Sequence, residues 1–457
     1  MKFAIIIPFY NAEKRLKVSI NSVIKQSYRF LEHVEVLLIN DGSTDNSGII
    51  ANHYAEKYPN NIRMLNIPNG GPAKARNIGI HNVREDTDFV GFLDADDVLS
   101  SNMLEKMAAF LNQSNVNMVV PAFYYLDDFG KKQKIAPHKL NYRFKNGDRM
   151  VNIEEEPQAI HYYIGGTFLR YKSLQEFSFA EELYFGEDQL LITQFLLKNR
   201  TYGLIADAGY YYYRDMKQKG SLVSSSWKKN ERYTAFLEKV YQTYIADSQK
   251  EFGSVIPYIK TLIAYHAKLF FYKENVYFKE VLNEAEQEGF VVELQRILKV
   301  VGANTILALD TPLVVKEMML SIMRNGWPVQ FEMEPLSEVP LVSIKEVYRI
   351  GKPAVVELSL EEQRQSLPNE GQFILGASTD SSSAKLITRK SDQKIWDISV
   401  RKVGSIERAV FNLKPFQNKV AIFYKDRYKK MSIIELRVMN SLLAKIKRNI
   451  KLKRDFK

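Results

Sequence analysis

Short apolar runs alternate with longer segments of helical periodicity along the first hundred residues. Four runs of five or six residues, bounded by turn-forming side chains, predict strands at 3–7, 34–39, 62–67 and 89–93. Between them, apolar side chains recur every three or four positions, which predicts helices over 12–27, up to residue 58, and after the turn at 69–72. This alternation is typical of βαβ units. The sequence therefore predicts an α/β fold with a mostly parallel, Rossmann-like sheet flanked by helices.

The same alternation continues less regularly up to about residue 225. Amphipathic helices are predicted over 102–112 and 187–198, strands over 118–125 and 202–213, and a polar, lysine-rich hairpin region over 127–150. We therefore place the first domain at residues 1–225.

Two changes of pattern divide the rest of the chain. Helical spacing dominates residues 226–330 and predicts a helical subdomain. Residues 331–430 change to a period of two, with apolar runs separated by turns, which predicts a small antiparallel β-sandwich. It contains no cluster of reactive side chains, so we expect an accessory module for attachment or recognition.

The last segment, residues 431–457, is predicted to be a basic amphipathic helix. From Ser432 onward, Ile434, Val438, Leu442 and Ile446 share one face, and seven lysines and arginines lie between Lys445 and Lys457. Such a helix is attracted to anionic lipid at a membrane surface. The alternative is a helix that packs on the protein and leaves its basic face in water.

Composition limits the classes of function. The 457 residues exceed one typical domain, and the absence of cysteine excludes disulfides, thiolate zinc sites and a cysteine nucleophile. The formal net charge of +11 favours a polyanionic partner or an anionic membrane. No zinc-finger spacing or aromatic RNA-binding consensus occurs, so nucleic acid is not an expected partner.

The N-terminal segment, which Pro8 interrupts, is too short for a signal peptide, and no apolar run reaches about 18 residues, the minimum for a membrane span. We therefore expect a cytoplasmic protein, either free or peripheral on the inner face of the cell membrane. A homo-oligomer is left open.

Acidic side chains follow the predicted strand at 89–93 directly, as Asp94-Ala95-Asp96. Open α/β sheets bind ligands at the carboxyl ends of their strands. Two aspartates one residue apart point the same way and can share a divalent cation, with a diphosphate as co-ligand. The alternative is a turn with solvated carboxylates.

Two other strand ends carry polar side chains. Asp41 follows the second strand, where it is placed to accept hydrogen bonds from a nucleobase or ribose; otherwise it caps the next helix. The turn Asn69-Gly70-Gly71 opens a helix whose first amides can face a ligand, with Arg76 about one turn inside. The alternative for Arg76 is an ordinary surface position.

Together these segments resemble the family 2 glycosyltransferases of the GT-A fold. The matching segments are 5–11, 39–45, 69–77 and 93–97. The resemblance implies a nucleotide-sugar donor, usually a uridine diphosphate (UDP) sugar, and a Mn²⁺ or Mg²⁺ ion. It also implies that Asp96 holds the metal and that the nucleotide site is lined by Pro8, Tyr10, Asp41, Asn69, Arg76 and Asp94.

Two downstream segments extend the resemblance. Glu187-Asp188 looks like the acidic pair that supplies the catalytic base, with Asp188 facing the acceptor; the alternative is an acidic helix N-terminus. Arg214 and Ser221 match a loop that closes over the diphosphate. The implied reaction is an inverting single displacement in which the metal and Arg214 stabilise the leaving diphosphate and Asp188 deprotonates the acceptor hydroxyl.

The layout of the domains looks closest to bacterial enzymes that glycosylate wall teichoic acid or other cell-surface glycans. A hexosyl- or N-acetylhexosaminyltransferase is therefore expected, with a teichoic acid, polysaccharide or glycoprotein glycan as acceptor. The competing hypothesis is a non-catalytic nucleotide-sugar-binding or scaffold protein, which would have no need of Asp188. A dehydrogenase is disfavoured, because no Gly-x-Gly-x-x-Gly follows the first strand.

Overall fold

The computed structural model describes most of the first 326 residues and a set of later strands. The described ranges are 1–128, 133–215, 225–272, 275, 277–326, 343–349, 353–359, 372–376, 385–396, 398–412, 419–425 and 430–437. Two compact units are present: Met1–Phe270 with Asn275–Leu309 and Ile322–Trp327, and Phe271–Glu274 with Asp310–Ser321 and Pro328–Lys457. The helices after residue 225 thus belong mainly to the unit that contains the α/β sheet. The domain boundaries at 225, 330 and 430 stay predictions.

The first unit is built on a ten-stranded sheet. Its strands are β1 (Phe3–Phe9), β2 (Val34–Asp41), β3 (Ile62–Ile67), β4 (Phe89–Phe92), β5 (Val98–Leu99), β6 (Met118–Asp128), β7 (Gln133–Pro137), β8 (Arg149–Asn152), β9 (Phe168–Arg170) and β10 (Thr201–Asp215). The order is β3-β2-β1-β4-β9-β6-β10-β5, with β7 beside β6 and β8 beside β10.

Helices alternate with the strands of the first half and continue after β10. They are α1 (Leu16–Ile24), α2 (Phe30–His33), α3 (Ser47–Lys57), α4 (Gly71–His81), α5 (Met103–Leu111), α6 (Tyr171–Leu174), α7 (Glu187–Asn199), α8 (Gln242–Phe252), α9 (Pro257–Ala267), α10 (Phe278–Val281), α11 (Glu284–Val301), α12 (Ala303–Ala308) and α13 (Leu313–Asn325). A 3₁₀ helix spans Lys139–Phe144, and a π-helical stretch, Phe236–Tyr241, precedes α8.

The core forms on both faces of β1 because helices cover each face. Phe3, Ile5 and Ile7 pack with apolar residues of α1 and α3. On the opposite face α4 approaches so closely that a side chain at Gly79 would begin 2.6 Å from Ile6. Burial on both faces explains the nearly uninterrupted apolar runs of the central strands.

The predicted parallel sheet is confirmed for β3, β2, β1 and β4. The other half is mixed, since β9 runs antiparallel to both β4 and β6, while β10 and β6 are parallel. A strand of three residues has too little pattern to reveal its direction in the sequence, so the antiparallel direction of β9 within the mostly parallel sheet was not predictable.

The second unit contains two antiparallel sheets. Their strands are β11 (Ser343–Arg349), β12 (Pro353–Ser359), β13 (Gln372–Gly376), β14 (Lys385–Ile395), β15 (Ile398–Asn412), β16 (Lys419–Lys425) and β17 (Lys430–Arg437). The orders are β11-β12-β15-β14 and β13-β16-β17. These strands agree with the small β domain predicted from the period-two pattern.

The tail prediction needs a correction at its start. Residues 430–437 form β17, which pairs with β16 from Lys425 to Lys419, so no helix begins at Ser432. The β-branched residues Ile433 and Ile434 favour a strand, and pairing with β16 satisfies the backbone hydrogen bonds of this segment. Residues 438–457 lie outside the described residues. Among the described helices, none combines the length and the apolarity that crossing a bilayer requires.

Candidate active site

Most of the sequence-predicted residues lie near the ends of β1, β2 and β4. Asp41 ends β2, Asp94 and Asp96 follow β4, Arg76 lies in α4, and Glu187 and Asp188 begin α7. This is the edge of the sheet at which parallel strands present ligand-binding loops.

Arg76 joins the aspartates that follow β4 to the acidic pair that begins α7. Its Nη1 donates to Oε1 of Glu187 over 2.9 Å, and its Nη2 donates to Oδ1 of Asp94 over 3.1 Å. The side chain is only 7% exposed. Burial alone lowers the pKa of the guanidinium, but Asp94, Glu187 and Asp188 outweigh it and raise the pKa above the usual value. Arg76 is therefore a buried bridge and not a surface residue.

The aspartates after β4 differ in their surroundings. Asp94 is partly exposed and holds Arg76, whereas Asp96 is exposed to solvent. Although Asp96 is exposed, protein atoms around its carboxyl displace part of the water. This desolvation first, and the neighbouring Asp94 second, raise the pKa of the Asp96 carboxyl to about 6. This destabilised negative charge is one that a bound cation would relieve.

A divalent cation fits these residues. Asp94 and Asp96 offer carboxylate oxygens, the ligands that Mn²⁺ and Mg²⁺ prefer. Asp96 is exposed, and its pKa is raised. Nowhere in the described ranges do three or more acidic or histidine side chains converge on one metal position. The remaining ligands would therefore come from water and a donor diphosphate.

The third aspartate of the motif, Asp97, is fully buried and received no role from the sequence. Its Oδ1 accepts the backbone N–H of Tyr213 over 2.7 Å, and its Oδ2 accepts the hydroxyl of Tyr210. Burial, with Asp96 and Asp94 nearby, raises the pKa of Asp97 well above its usual range. Asp97 thus attaches the segment Asp94–Asp97, which we call the acidic turn, to β10.

Asp41 shapes the glycine-rich turn. Its two carboxylate oxygens accept the backbone N–H groups of Gly70 and Gly71 over 2.8 and 2.9 Å. The side-chain amide of Asn69 donates to the Asp41 carbonyl over 3.0 Å. Asp41 therefore accepts amides at the start of α4 and does not cap α3, the helix that follows it in the chain. Its contact with a nucleobase or ribose stays a prediction.

The end of β1 is open to a ligand. Pro8 is half-buried, and Tyr10 exposes 53% of its surface. Asn11 follows with a φ of 49°, and its side-chain oxygen accepts the N–H of Thr44 over 2.8 Å, which joins the β1 and β2 loops. Asparagine tolerates this left-handed conformation better than most residues.

Asp188 lies in the first turn of α7. Burial first, then the adjacent Glu187, raises its pKa to about 7, against the lowering effect of Arg76. The turn before it needs glycine, because Gly186 has a φ of 91° and a Cβ there would lie 2.5 Å from the Phe236 ring. A carboxylate with a pKa near neutral is suited to accept a proton from a hydroxyl.

Arg214 bonds to a carboxylate outside the acidic turn. Arg214 donates from Nε and Nη2 to Oδ1 of Asp127, each over 2.6 Å, and its guanidinium lies 3.9 Å from the centre of the Tyr125 ring. Ser221 lies outside the described residues. Their contact with a diphosphate stays a prediction.

Arg15 is a residue that the sequence reasoning missed. Its guanidinium donates to the backbone carbonyl of Asp96 from Nε over 3.3 Å and from Nη2 over 3.2 Å. It also lies 3.8 Å from the centre of the Tyr213 ring. An arginine just before a helix carries no signal by itself, so only the folded chain shows this contact.

Comparisons with known proteins agree with this geometry. A family model described as glycosyl transferase family 2 matches residues 4–177. The minor teichoic acid biosynthesis protein GgaA of Bacillus subtilis is 43% identical over 328 residues, which cover 71% of this chain and 72% of that protein. The poly(ribitol-phosphate) β-N-acetylglucosaminyltransferase TarS of Staphylococcus aureus is 28% identical over 51% of this chain and 39% of that protein.

Solved structures show the same fold. The crystal structure of S. aureus TarS residues 1–349 with UDP-GlcNAc matches with a TM-score of 0.55 and 22% identity, over 71% of this chain and 87% of that one. The S. aureus TarS crystal structure matches with a TM-score of 0.64 and 18% identity, over 96% of this chain and 78% of that one. The GT-A fold expected from the sequence is thereby confirmed.

Proposed function

Since the chain belongs to glycosyl transferase family 2, we propose that it transfers a hexosyl or N-acetylhexosaminyl group from a UDP-sugar to a hydroxyl of a teichoic acid. The observation that carries this proposal is the Arg76 bridge, which holds the acidic turn after β4 beside the acidic pair of α7. A donor site and a base for the acceptor are thus adjacent.

The donor and acceptor classes rest on the relatives and on charge. TarS binds UDP-GlcNAc in its crystal structure, and both GgaA and TarS carry names that refer to teichoic acid or poly(ribitol-phosphate). The net charge of +11 suits such a polyanionic acceptor. Polysaccharide and glycoprotein glycans are the other acceptors to test.

The chemistry that we propose is one in-line displacement. The acceptor hydroxyl gives its proton to Asp188 as its oxygen bonds to the anomeric carbon. The bond from that carbon to the diphosphate breaks, and its electron pair leaves with UDP. Arg76 keeps Glu187 and Asp188 beside the donor. A divalent cation on Asp96, when bound, would offset the charge of the departing diphosphate.

A donor screen tests the proposal. Purified protein is incubated with several UDP-sugars, a teichoic acid and Mn²⁺ or Mg²⁺, and release of UDP is measured. Release that depends on the acceptor, with inversion at the anomeric carbon seen by NMR, is the expected result. Retention of configuration would contradict the role of Asp188. Binding of UDP-sugar without any turnover would favour the non-catalytic alternative.

We also propose a peripheral location at the inner face of the membrane. The support is the charge of the tail, where seven basic side chains lie between Lys445 and Lys457. Deletion of residues 438–457 should reduce sedimentation with anionic liposomes and leave the UDP-release activity intact. Equal sedimentation of both proteins would exclude the tail as an anchor.

A further inference from the structure

Four polar side chains in α1 and directly beside it follow the backbone of the acidic turn and the residues after it. Ser19 and Ser22 lie in the helix, Arg15 precedes it and Gln26 follows it; we call the four the α1 polar face. Their spacing of four, three and four residues is that of one helix face. Each of the four forms a hydrogen bond with a backbone group between residues 95 and 104.

The hydrogen bonds of Ser19, Ser22 and Gln26 follow the chain order of both segments. Ser19 donates to the carbonyl of Ala95 over 2.8 Å, and Ser22 accepts the N–H of Leu99 over 3.2 Å. Gln26 donates to the carbonyl of Ser100 over 2.8 Å and accepts the N–H of Leu104 over 3.0 Å. The α1 polar face therefore determines where this stretch of backbone lies.

Arg15 differs from Ser19 and Gln26. Those two side chains are buried, whereas Arg15 is partly exposed and holds the carbonyl of Asp96, an exposed residue. Arg15 thus acts on the backbone position of the residue that we expect to hold the cation.

The contact with Tyr213 extends this arrangement to β10. The Arg15 guanidinium packs on the Tyr213 ring, and the backbone N–H of Tyr213 bonds to Asp97 over 2.7 Å. The Tyr213 hydroxyl donates to Asp128 over 3.1 Å. Tyr213 is therefore fixed at both its backbone and its hydroxyl, and it gives the guanidinium a rigid surface.

We propose that Arg15 is a positioning residue for donor binding: by holding the Asp96 carbonyl against Tyr213, it orients the Asp94–Asp96 turn toward the diphosphate and its cation. This inference rests on the proposed function and assigns Arg15 a part in it. Lysine can replace arginine here only in part, because an ammonium lacks the planar fork that both bonds a carbonyl twice and packs flat on a ring.

The test is calorimetry with UDP plus Mn²⁺ as the probe. Arg15→Met should weaken binding of Mn²⁺–UDP by about tenfold. The affinity for uridine, which lacks the diphosphate and is measured by competition, should not change. Arg15→Lys should recover only part of the loss. The matched control is Arg29→Met, since Arg29 is 75% exposed and pairs with Glu32 away from the turn.

A double-mutant cycle with Asp96→Asn shows whether Arg15 acts through Asp96. If it does, Arg15→Met adds little to the loss already caused by Asp96→Asn. Additive losses, full recovery by lysine, or equal weakening of uridine and Mn²⁺–UDP would each overturn the positioning role. If the wild-type protein does not bind Mn²⁺–UDP, the proposed function itself fails. If it binds and Arg15→Met binds equally, only the inference about Arg15 fails.

Discussion

Two buried arginines near the acidic pair of α7 are held in opposite ways. Arg76 bonds to carboxylates of Glu187 and Asp94. Arg232, also buried, has no carboxylate partner in the part of the chain that the structure describes; its guanidinium lies 4.1 Å from the centre of the Phe185 ring and 4.2 Å from that of Trp227. Burial lowers the pKa of Arg232 to about 10, whereas that of Arg76 is raised.

The difference separates function from packing. A buried arginine paired with two carboxylates fixes the charges of a reaction site, and loss of either partner leaves a buried charge uncompensated. An arginine surrounded by aromatic rings contributes mainly packing and cation–π attraction. In Arg232 both Nε and Nη1 lack hydrogen-bond partners among the described residues, as does Nε alone in Arg76. Substitutions at the two positions should therefore have unlike consequences.

Arg76→Met should have the largest effect. It leaves Glu187 and Asp94 without their shared cation, so the free energy of unfolding should fall by about 3–5 kcal/mol and transfer should be lost. Urea unfolding followed by circular dichroism measures the first effect, and UDP release measures the second. A variant as stable as the wild type would show that the bridge contributes nothing to folding.

Asp188→Asn tests the other side of the bridge. Loss of a general base lowers kcat by about 10²–10⁴-fold. Asp188 must be ionised to accept a proton, and its pKa is raised to about 7, so wild-type kcat/KM should fall as the pH drops below 7. If the carboxylate had an ordinary pKa, kcat/KM would stay constant down to about pH 4. The pH profile of the wild type and calorimetric donor binding by the variant are the measurements. Lost donor binding would make Asp188 structural.

The same raised pKa affects stability in the opposite sense. The folded state binds the Asp188 proton more tightly than the unfolded state, so this contribution is complete at low pH and is lost as the pH rises through about 7. Asp188→Asn should remove that part of the pH dependence. Melting temperatures of both proteins between pH 5 and pH 8 show whether their difference widens as the pH rises.

Arg232→Met should have a small effect, unlike the same change at Arg76. Methionine fills the same space among the aromatic rings and removes a buried charge that has no carboxylate partner. The free energy of unfolding should stay the same or rise, and UDP release should persist. A fall of more than about 2 kcal/mol would mean that cation–π attraction to the rings outweighs the desolvation of the guanidinium.

Arg200→Met should have the smallest effect. Arg200 also packs on an aromatic ring, that of Phe252, but it is 51% exposed and pairs with the exposed Glu154. Surface pairs of this kind contribute less than about 1 kcal/mol. Denaturation at low and high salt tests this expectation. A larger loss would show that exposed and buried cation–π contacts are equivalent in this protein.

The residues near the sheet edge were predictable because local patterns encode them. Each strand end carries its own polar residues, and the parallel arrangement of β1, β2 and β4 brings them to one edge. The bonds between them were not predictable. Arg76 and Glu187 are separated by 111 positions, and no local pattern states that they pair. Arg214 illustrates the same limit, since its partner Asp127 lies on a neighbouring strand.

The start of the tail was the other source of error. The strand character of residues 430–437 depends on the strand that lies alongside, β16, and the apolar spacing alone predicted a helix there. Apolar residues of a short run fit a helix and a strand equally well until that pairing is known. The α1 polar face had a signal, the helical spacing of four polar residues, but its partner backbone is visible only in the fold.

The Arg76 bridge also has a consequence for the order of folding. The pairings of β1 with β2 and of β2 with β3 join nearby segments, such as Phe3 with Val34 and Val36 with Ile62, whereas closure of a loop of 111 residues carries a larger entropic penalty and is expected later than these pairings. We therefore expect refolding chains to regain their secondary structure before they can bind a nucleotide. The acidic pair and the acidic turn would meet last, so newly made chains acquire their chemistry only in the final step of folding.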